Sequence, residues 1–274
     1  MLGYAAAIVI GYLLILLLVR VFESKLVFFP DYPGRLTGEW QPRGLPVQDA
    51  WIKTHDGVAL HAWWIPNSHA QVTFLAFHGN AANIANRAEL YRFLWMLPAN
   101  VLAVEYRGYG RSEGKPSEAG LYRDADATYD YLVREQHTPA EQIISFGQSL
   151  GSAVAVDLAS RRTVAGIVLE GSFPSARAVA QKVYWFLPGI GLVARSKFDT
   201  AKKLSRVRVP ILIVHCVSDP VVSFSLGEEV YRQAQEPKSF LRVEGECHEE
   251  ASLSAPEKYR AELGRFLRSV RPGR

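Results

Sequence analysis

Residues 142–161 read QIISFGQSLGSAVAVDLASR, and the fold turns on this stretch. Its opening, QIISF, is a short apolar run of the length expected for a buried strand. From Leu150 onward, apolar side chains recur at helical spacing. Between the two stands Gly147-Gln148-Ser149-Leu150-Gly151. A strained strand-to-helix turn with small residues on either side of a serine lifts the hydroxyl clear of a sheet. It also aims the following backbone N–H groups at the site of attack. On those five residues alone, a glycine turn with an N-capping serine is the plainer reading. The rest of the chain decides between the two.

On the N-terminal side, residues 47–54 and 58–65 flank Asp56-Gly57, which predicts a hairpin. Short apolar runs at 72–77, 101–105, 164–169, 210–216 and 239–243 predict further strands. Segments 84–97, 121–135, 225–234 and 256–270 have helical spacing, the first of them stopping at Pro98. Apolar strands alternating with amphipathic helices predict an α/β fold, a mostly parallel central sheet with helices on both faces. The hairpin adds an antiparallel edge. The insertion at about 172–205 breaks this rhythm with aromatics and paired Gly and Pro, and is read as a small cap over the site.

The partners that a serine nucleophile needs follow in order. The run ILIVHC leads at once into Val217-Ser218-Asp219-Pro220, and the last predicted strand leads into Glu244-Gly245-Glu246-Cys247-His248. A carboxylate just past a strand end lies where parallel sheets place functional groups, although Asp219 would also suit a turn before Pro220. A serine, an acid and a histidine, each at a strand end and in this order, predict a Ser149–His248–Asp219 triad. In that chemistry the histidine takes the serine proton and the aspartate sets the imidazole tautomer. The oxyanion needs fixed donors. The backbone N–H of Leu150 is one candidate, and that of Asn80, in Phe77-His78-Gly79-Asn80-Ala81, is the other. His78, beside the glycine turn, is expected to brace that loop.

Residues 2–19, LGYAAAIVIGYLLILLLV, carry no charged side chain and would rise about 27 Å as a helix, near the thickness of a bilayer core. A cleaved signal peptide would want a basic start and a small-residue cleavage site. Here the first charge is Arg20, and VFESKLVFFP follows. The stretch is therefore read as a single-pass transmembrane anchor over 1–22, a linker over 23–46 and a hydrolase domain over 47–274. Arg20 and Lys25 are expected at the interface, with Phe22, Phe28 and Phe29 near the headgroups. The flanking positive charges lean slightly toward a cytoplasmic domain.

Composition narrows the remaining choices. The net charge is +4, from 31 Lys and Arg against 27 Asp and Glu, with no basic block interleaved with aromatics. Nucleic acid is therefore not an expected partner. The two cysteines, Cys216 and Cys247, suggest no disulfide framework, and Cys216 reads as a packing residue. His215-Cys216 and Cys247-His248 invite a zinc site, but adjacent strand residues point to opposite faces, so no metal is expected. RGYGRSEG misses the dinucleotide spacing, and no cofactor is expected.

Taken together, HGNAANIANR, EYRGYGRSEG, GQSLG, HCVSDPVV and GECH resemble the α/β-hydrolase superfamily. The likeness is closest to a branch with an N-terminal membrane segment and an HGNA loop, and it covers nearly everything from Val47 onward. Ser152 stands where many of those proteins carry another glycine. The resemblance implies hydrolysis of a carboxylic ester or thioester through an acyl-enzyme. The anchor suits a lipid or acylated substrate, with a small-molecule ester as the simplest partner. A serine aminopeptidase on the same triad, which would need a carboxylate for the substrate amine, and a non-catalytic membrane-tethered binding protein are the alternatives. Trp185, Phe186 and Leu187 suit either an acyl pocket or packing of the cap.

Overall fold

The computed structural model describes residues 2–30, 32 and 41–270. An N-terminal helix α1 (Leu2–Val27) precedes eight strands: β1 (Gln48–Lys53), β2 (Ala59–Ile65), β3 (Val72–Phe77), β4 (Ala99–Val104), β5 (Ile143–Gln148), β6 (Gly166–Glu170), β7 (Ile211–Cys216) and β8 (Lys238–Val243). They form one sheet in the order β1-β2-β4-β3-β5-β6-β7-β8. The Asp56-Gly57 hairpin pairs β1 with β2, and β2 runs antiparallel to β4. The remaining neighbours are parallel. The expected architecture is the one observed.

The helices of the domain are α2 (Ala88–Trp95), α3 (Glu118–Arg134), α4 (Leu150–Ala159), α5 (Ala176–Val183), α6 (Ile190–Val193), α7 (Thr200–Leu204), α8 (Phe224–Gln233), α9 (Ala251–Ser254) and α10 (Pro256–Ser269). Every residue of β3 and β5 is buried, because helices cover both faces of the parallel strands. The strand period of two then divides the core. Leu75, Phe77, Leu102 and Val104 pack with α3 and α4 on one face, while Phe74, Ala76, Val101 and Ala103 pack with α2 and α10 on the other. Burying each of the Leu, Val and Phe side chains among these is worth roughly 1.5–3 kcal/mol, so one slipped register would forfeit a whole face. Local chemistry sets the helix starts. Ser117 accepts the Gly120 N–H at the head of α3, and Ser175 does the same for Ala178 at the head of α5.

Three expectations need correction. α1 continues past the expected anchor segment of 1–22 to Val27, into the expected linker, and Phe28, expected near the headgroups, is buried against Phe198. The expected linker at 23–46 falls partly on residues 31 and 33–40, which lie outside those described. Cys216 and Cys247 form a disulfide, with Cα atoms 5.5 Å apart across 31 residues. Neither half of that pair lies in a recognisable cysteine pattern. The bond depends on β7 and the loop after β8 meeting in space, which no spacing rule reports. It also takes both sulfurs from any metal set.

Candidate active site

The sheet reverses its order of addition beside β3 and β5, and open α/β sheets carry their sites at such a point, beyond the C-terminal strand ends. Ser149 stands at the end of β5 with φ 48° and ψ −117°, a left-handed conformation that a serine adopts only under constraint. Its N–H is held by the Glu170 carbonyl at 2.8 Å, and its own carbonyl accepts both the N–H and the hydroxyl of Ser152. Ser152 thus fills the position of the expected glycine with a bond that braces the turn. The turn tolerates nothing larger at Gly151. A Cβ there would stand 2.1 Å from the Phe77 carbonyl oxygen.

Asp219 and His248 lie in the loops that follow β7 and β8. His248 Nδ1 lies 2.7 Å from Asp219 Oδ2, and the Asp219 side chain is fully buried. Its other oxygen accepts the N–H groups of Val221 and Val222, each at 2.8 Å. Burial pushes the Asp219 pKa up, but hydrogen bonds from His215 and His248 and the charge of His248 hold it well below the usual carboxylate range. The aspartate is therefore ionised, which makes His248 Nδ1 the donor and leaves Nε2 as the basic nitrogen. For His248, burial depresses the pKa, while Asp219, Glu249 and Glu250 more than offset it and raise the value. The imidazole also rests against Gly171, where a Cβ would come within 3.0 Å of its Cε1. Gly171 directly follows the residue that holds the Ser149 N–H.

A cavity of about 230 Å³ brings Ser149, Leu150 and Asn80 onto one surface. Leu150 opens α4, so its N–H has no partner within the helix. The Asn80 loop is fixed from several sides. Its carbonyl accepts the Tyr109 hydroxyl at 2.8 Å and the Phe29 N–H at 2.9 Å, and its side chain donates to the Val27 carbonyl at 3.1 Å. His78 sits behind the loop, fully buried, with Nδ1 2.7 Å from the Gly79 carbonyl and Nε2 3.2 Å from Glu105. It braces the loop, as expected, and does not face the cavity.

Several contributors were missed in the sequence. His215 donates to the Val222 carbonyl at 2.9 Å and lies 3.4 Å from Asp219, so it fixes the acid loop. The Cys216–Cys247 disulfide ties that loop to the residue before His248. Glu170 lies fully buried under the elbow, accepting from Gln148 Nε2 at 3.0 Å and from the Ala251 N–H at 2.8 Å. Burial raises its pKa to about 8 against those two hydrogen bonds, so the carboxyl is neutral at pH 7. Leu26 and Val27 of α1 line the cavity, although the sequence placed both of them in a linker. Only His215 carried a usable signal, standing four residues before the acid on a strand end.

Comparison with known proteins agrees with this architecture. Residues 68–190 match the family model described as serine aminopeptidase, S33. An α/β-hydrolase domain-containing protein of Arabidopsis thaliana, WAV2, is 32% identical over 295 residues, covering 98% of this chain and 94% of its own. An uncharacterised Mycobacterium tuberculosis protein is 33% identical over 248 residues, covering 89% of this chain and 87% of its own. Among solved structures, the Pyrococcus furiosus esterase Pf2001 superposes with a TM-score of 0.72 at 22% identity, covering 89% of this chain and all of that one. From its sheet order, its strand-end site and these relatives together, the chain belongs to the α/β-hydrolase superfamily.

Proposed function

We propose that the protein is a membrane-anchored serine hydrolase that cleaves a carboxylic ester or thioester through an acyl-enzyme. The observation that carries this reading is the ionised Asp219 gripping His248 Nδ1, at the same end of the parallel sheet as a serine held in a strained elbow over an apolar cavity. In this mechanism His248 Nε2 accepts the Ser149 proton as Oγ attacks the carbonyl carbon. The Asn80 and Leu150 N–H groups receive the oxyanion, each such donor being worth about 3 kcal/mol. Collapse breaks the bond to the leaving alcohol or thiol, which takes its proton from His248. Water, deprotonated by the same imidazole, then releases the acid and restores Ser149.

The aminopeptidase alternative has less support in the geometry. No Asp or Glu lines the cavity beside Ser149 among the described residues. The nearby candidates are already engaged: Glu249 pairs with Arg87 at 2.6 Å, and Glu250 accepts the N–H groups of His248 and Glu249. The esterase among the structural neighbours also favours ester chemistry. Anchoring is proposed for α1, which is long and apolar enough to cross a bilayer. Disulfides persist in oxidising compartments, so the Cys216–Cys247 bond favours an extracytoplasmic domain over the opposite lean drawn from flanking charge. The test is fluorophosphonate labelling in membranes. Wild type should label, and Ser149→Ala should not. Equal labelling of the two, or none of a folded wild type, would refute the mechanism.

A further inference from the structure

The N-terminal helix does more than a tether requires. Its last residues, Leu26 and Val27, line the cavity beside Ser149 together with Ala176, Val179, Ala180 and Val183 of α5. The junction is fastened by polar contacts. The Glu23 carboxylate is buried and accepts the N–H groups of Arg195 and Ser196 at 2.6 and 2.7 Å. Arg20 donates to the Val193 carbonyl at 2.9 Å, and the Tyr12 hydroxyl donates to the Pro188 carbonyl. At the C-terminal end of α1, Asn80 of the oxyanion loop holds the Val27 carbonyl.

These contacts set the depth of the cap. If the uncharged run to Val19 occupies hydrocarbon, Tyr12 lies about 12 Å below the Arg20 level, at 1.5 Å per residue. The Pro188 carbonyl lies within the reach of the Tyr12 side chain of that depth, because the two are hydrogen-bonded, which carries the cap below the Arg20 level. The preceding residues form the most exposed apolar cluster of the cap, with Trp185 79% and Phe186 59% accessible. Amphipathic segments that rest in a bilayer interface sink about 5–10 Å, with Trp and Phe at that level. Lys182 is exposed just before this tip, placed to meet anionic headgroups. The cavity is smaller than the roughly 300–1,000 Å³ of a complete ligand pocket, so it receives part of a ligand.

We propose that the cap tip from Val183 to Phe186 is seated in the lipid leaflet, and that the substrate's acyl chain passes directly from that leaflet into the groove between α1 and α5. The substrate class is then a bilayer-resident acyl ester or thioester. The proposal rests on the hydrolase reading above and on the membrane placement of α1.

Two measurements on the full chain in phosphatidylcholine–phosphatidylglycerol vesicles test it. In the first, Trp fluorescence is compared with and without brominated lipid, for wild type and Trp185→Phe. The difference between the two proteins should contain a quenched component belonging to Trp185. In the second, hydrolysis of a palmitoyl ester carried in the vesicles is divided by hydrolysis of p-nitrophenyl acetate. Val183→Trp, which narrows the groove, and Trp185→Asp/Phe186→Asp, which makes the tip polar, should each lower that ratio at least tenfold. An unquenched Trp185, or a ratio unmoved in both variants, overturns the proposal; so does an unquenched tip covered by a second copy, seen as a cross-linked dimer. The quenching readout needs no turnover. A quenched Trp185 in a protein that fails to react with fluorophosphonate therefore defeats the hydrolase reading, whereas labelling without quenching defeats only this one.

Discussion

The Glu170→Gln substitution isolates a buried carboxyl whose protonation is coupled to folding. In the folded protein its pKa is raised to about 8 by burial, from an ordinary value of 4.5. Below pH 4.5 the carboxyl is protonated in both folded and unfolded chains and contributes nothing. Above that value the unfolded chain releases its proton while the folded one keeps it, so stability falls as pH rises, up to the folded value. At about 1.4 kcal/mol per pH unit, the penalty reaches about 3 kcal/mol at pH 7. A glutamine at this position carries no such penalty, but its amide nitrogen takes the place of one acceptor. The bond from Gln148 Nε2 is then lost, at about 1 kcal/mol. The two effects should cross near pH 5, with wild type the more stable below and the variant above, by about 2 kcal/mol at pH 7. For a chain of this size that is a difference of several degrees in Tm. Melting of the two purified proteins at pH 4.5, 6 and 7.5 reads the difference directly, since every other titrating group cancels. A Tm difference independent of pH would show that Glu170 is ionised in the folded state and would refute the reasoning.

Further predictions concern the site and its supports. Asp219→Asn should lower kcat by several orders of magnitude and move the acid limb of kcat/KM to lower pH, because the variant loses the interaction that raises the His248 pKa. A pH–rate profile with an unmoved limb would remove Asp219 from that role. Cys216→Ser/Cys247→Ser should cost about 3–4 kcal/mol, from the 31-residue separation of the linked cysteines, and about 10 °C in Tm. Native, unreduced wild type that titrates two free thiols would contradict the bond itself. Gly151→Ala should destabilise by about 3 kcal/mol or more and abolish fluorophosphonate labelling, since the new methyl meets the Phe77 carbonyl. A stable, normally labelled Gly151→Ala protein would show that the elbow is looser than described.

Much of the architecture could be read from periodicity. The strand at Val72–Phe77 is predicted with the bounds it has, and the hairpin around Asp56-Gly57 pairs as expected. Both signals are local: a short apolar run between turn residues, and a turn dipeptide with positive φ at its glycine. Ser149, Asp219 and His248 could be nominated as a candidate site for a related reason, since each stands at or just beyond the end of an apolar run and their order is one that the proposed chemistry requires. α1 runs on past the expected anchor segment of 1–22 to Val27, because hydropathy reports where charge begins, not where a helix ends. Glu23 is charged yet buried, its carboxylate satisfied by two N–H groups more than 170 residues away.

Local pattern was thus enough for the alternation of elements and the apolar N-terminal helix, and enough to nominate three candidate residues after the strand ends, because those depend on neighbours within a few positions. Packing in three dimensions was needed to bring Cys216 to Cys247, to leave Glu170 neutral beneath the elbow, and to make Leu26 and Val27 a wall of the cavity. Each of these depends on distance and burial between segments far apart in the chain, and a pattern of short period carries no record of either.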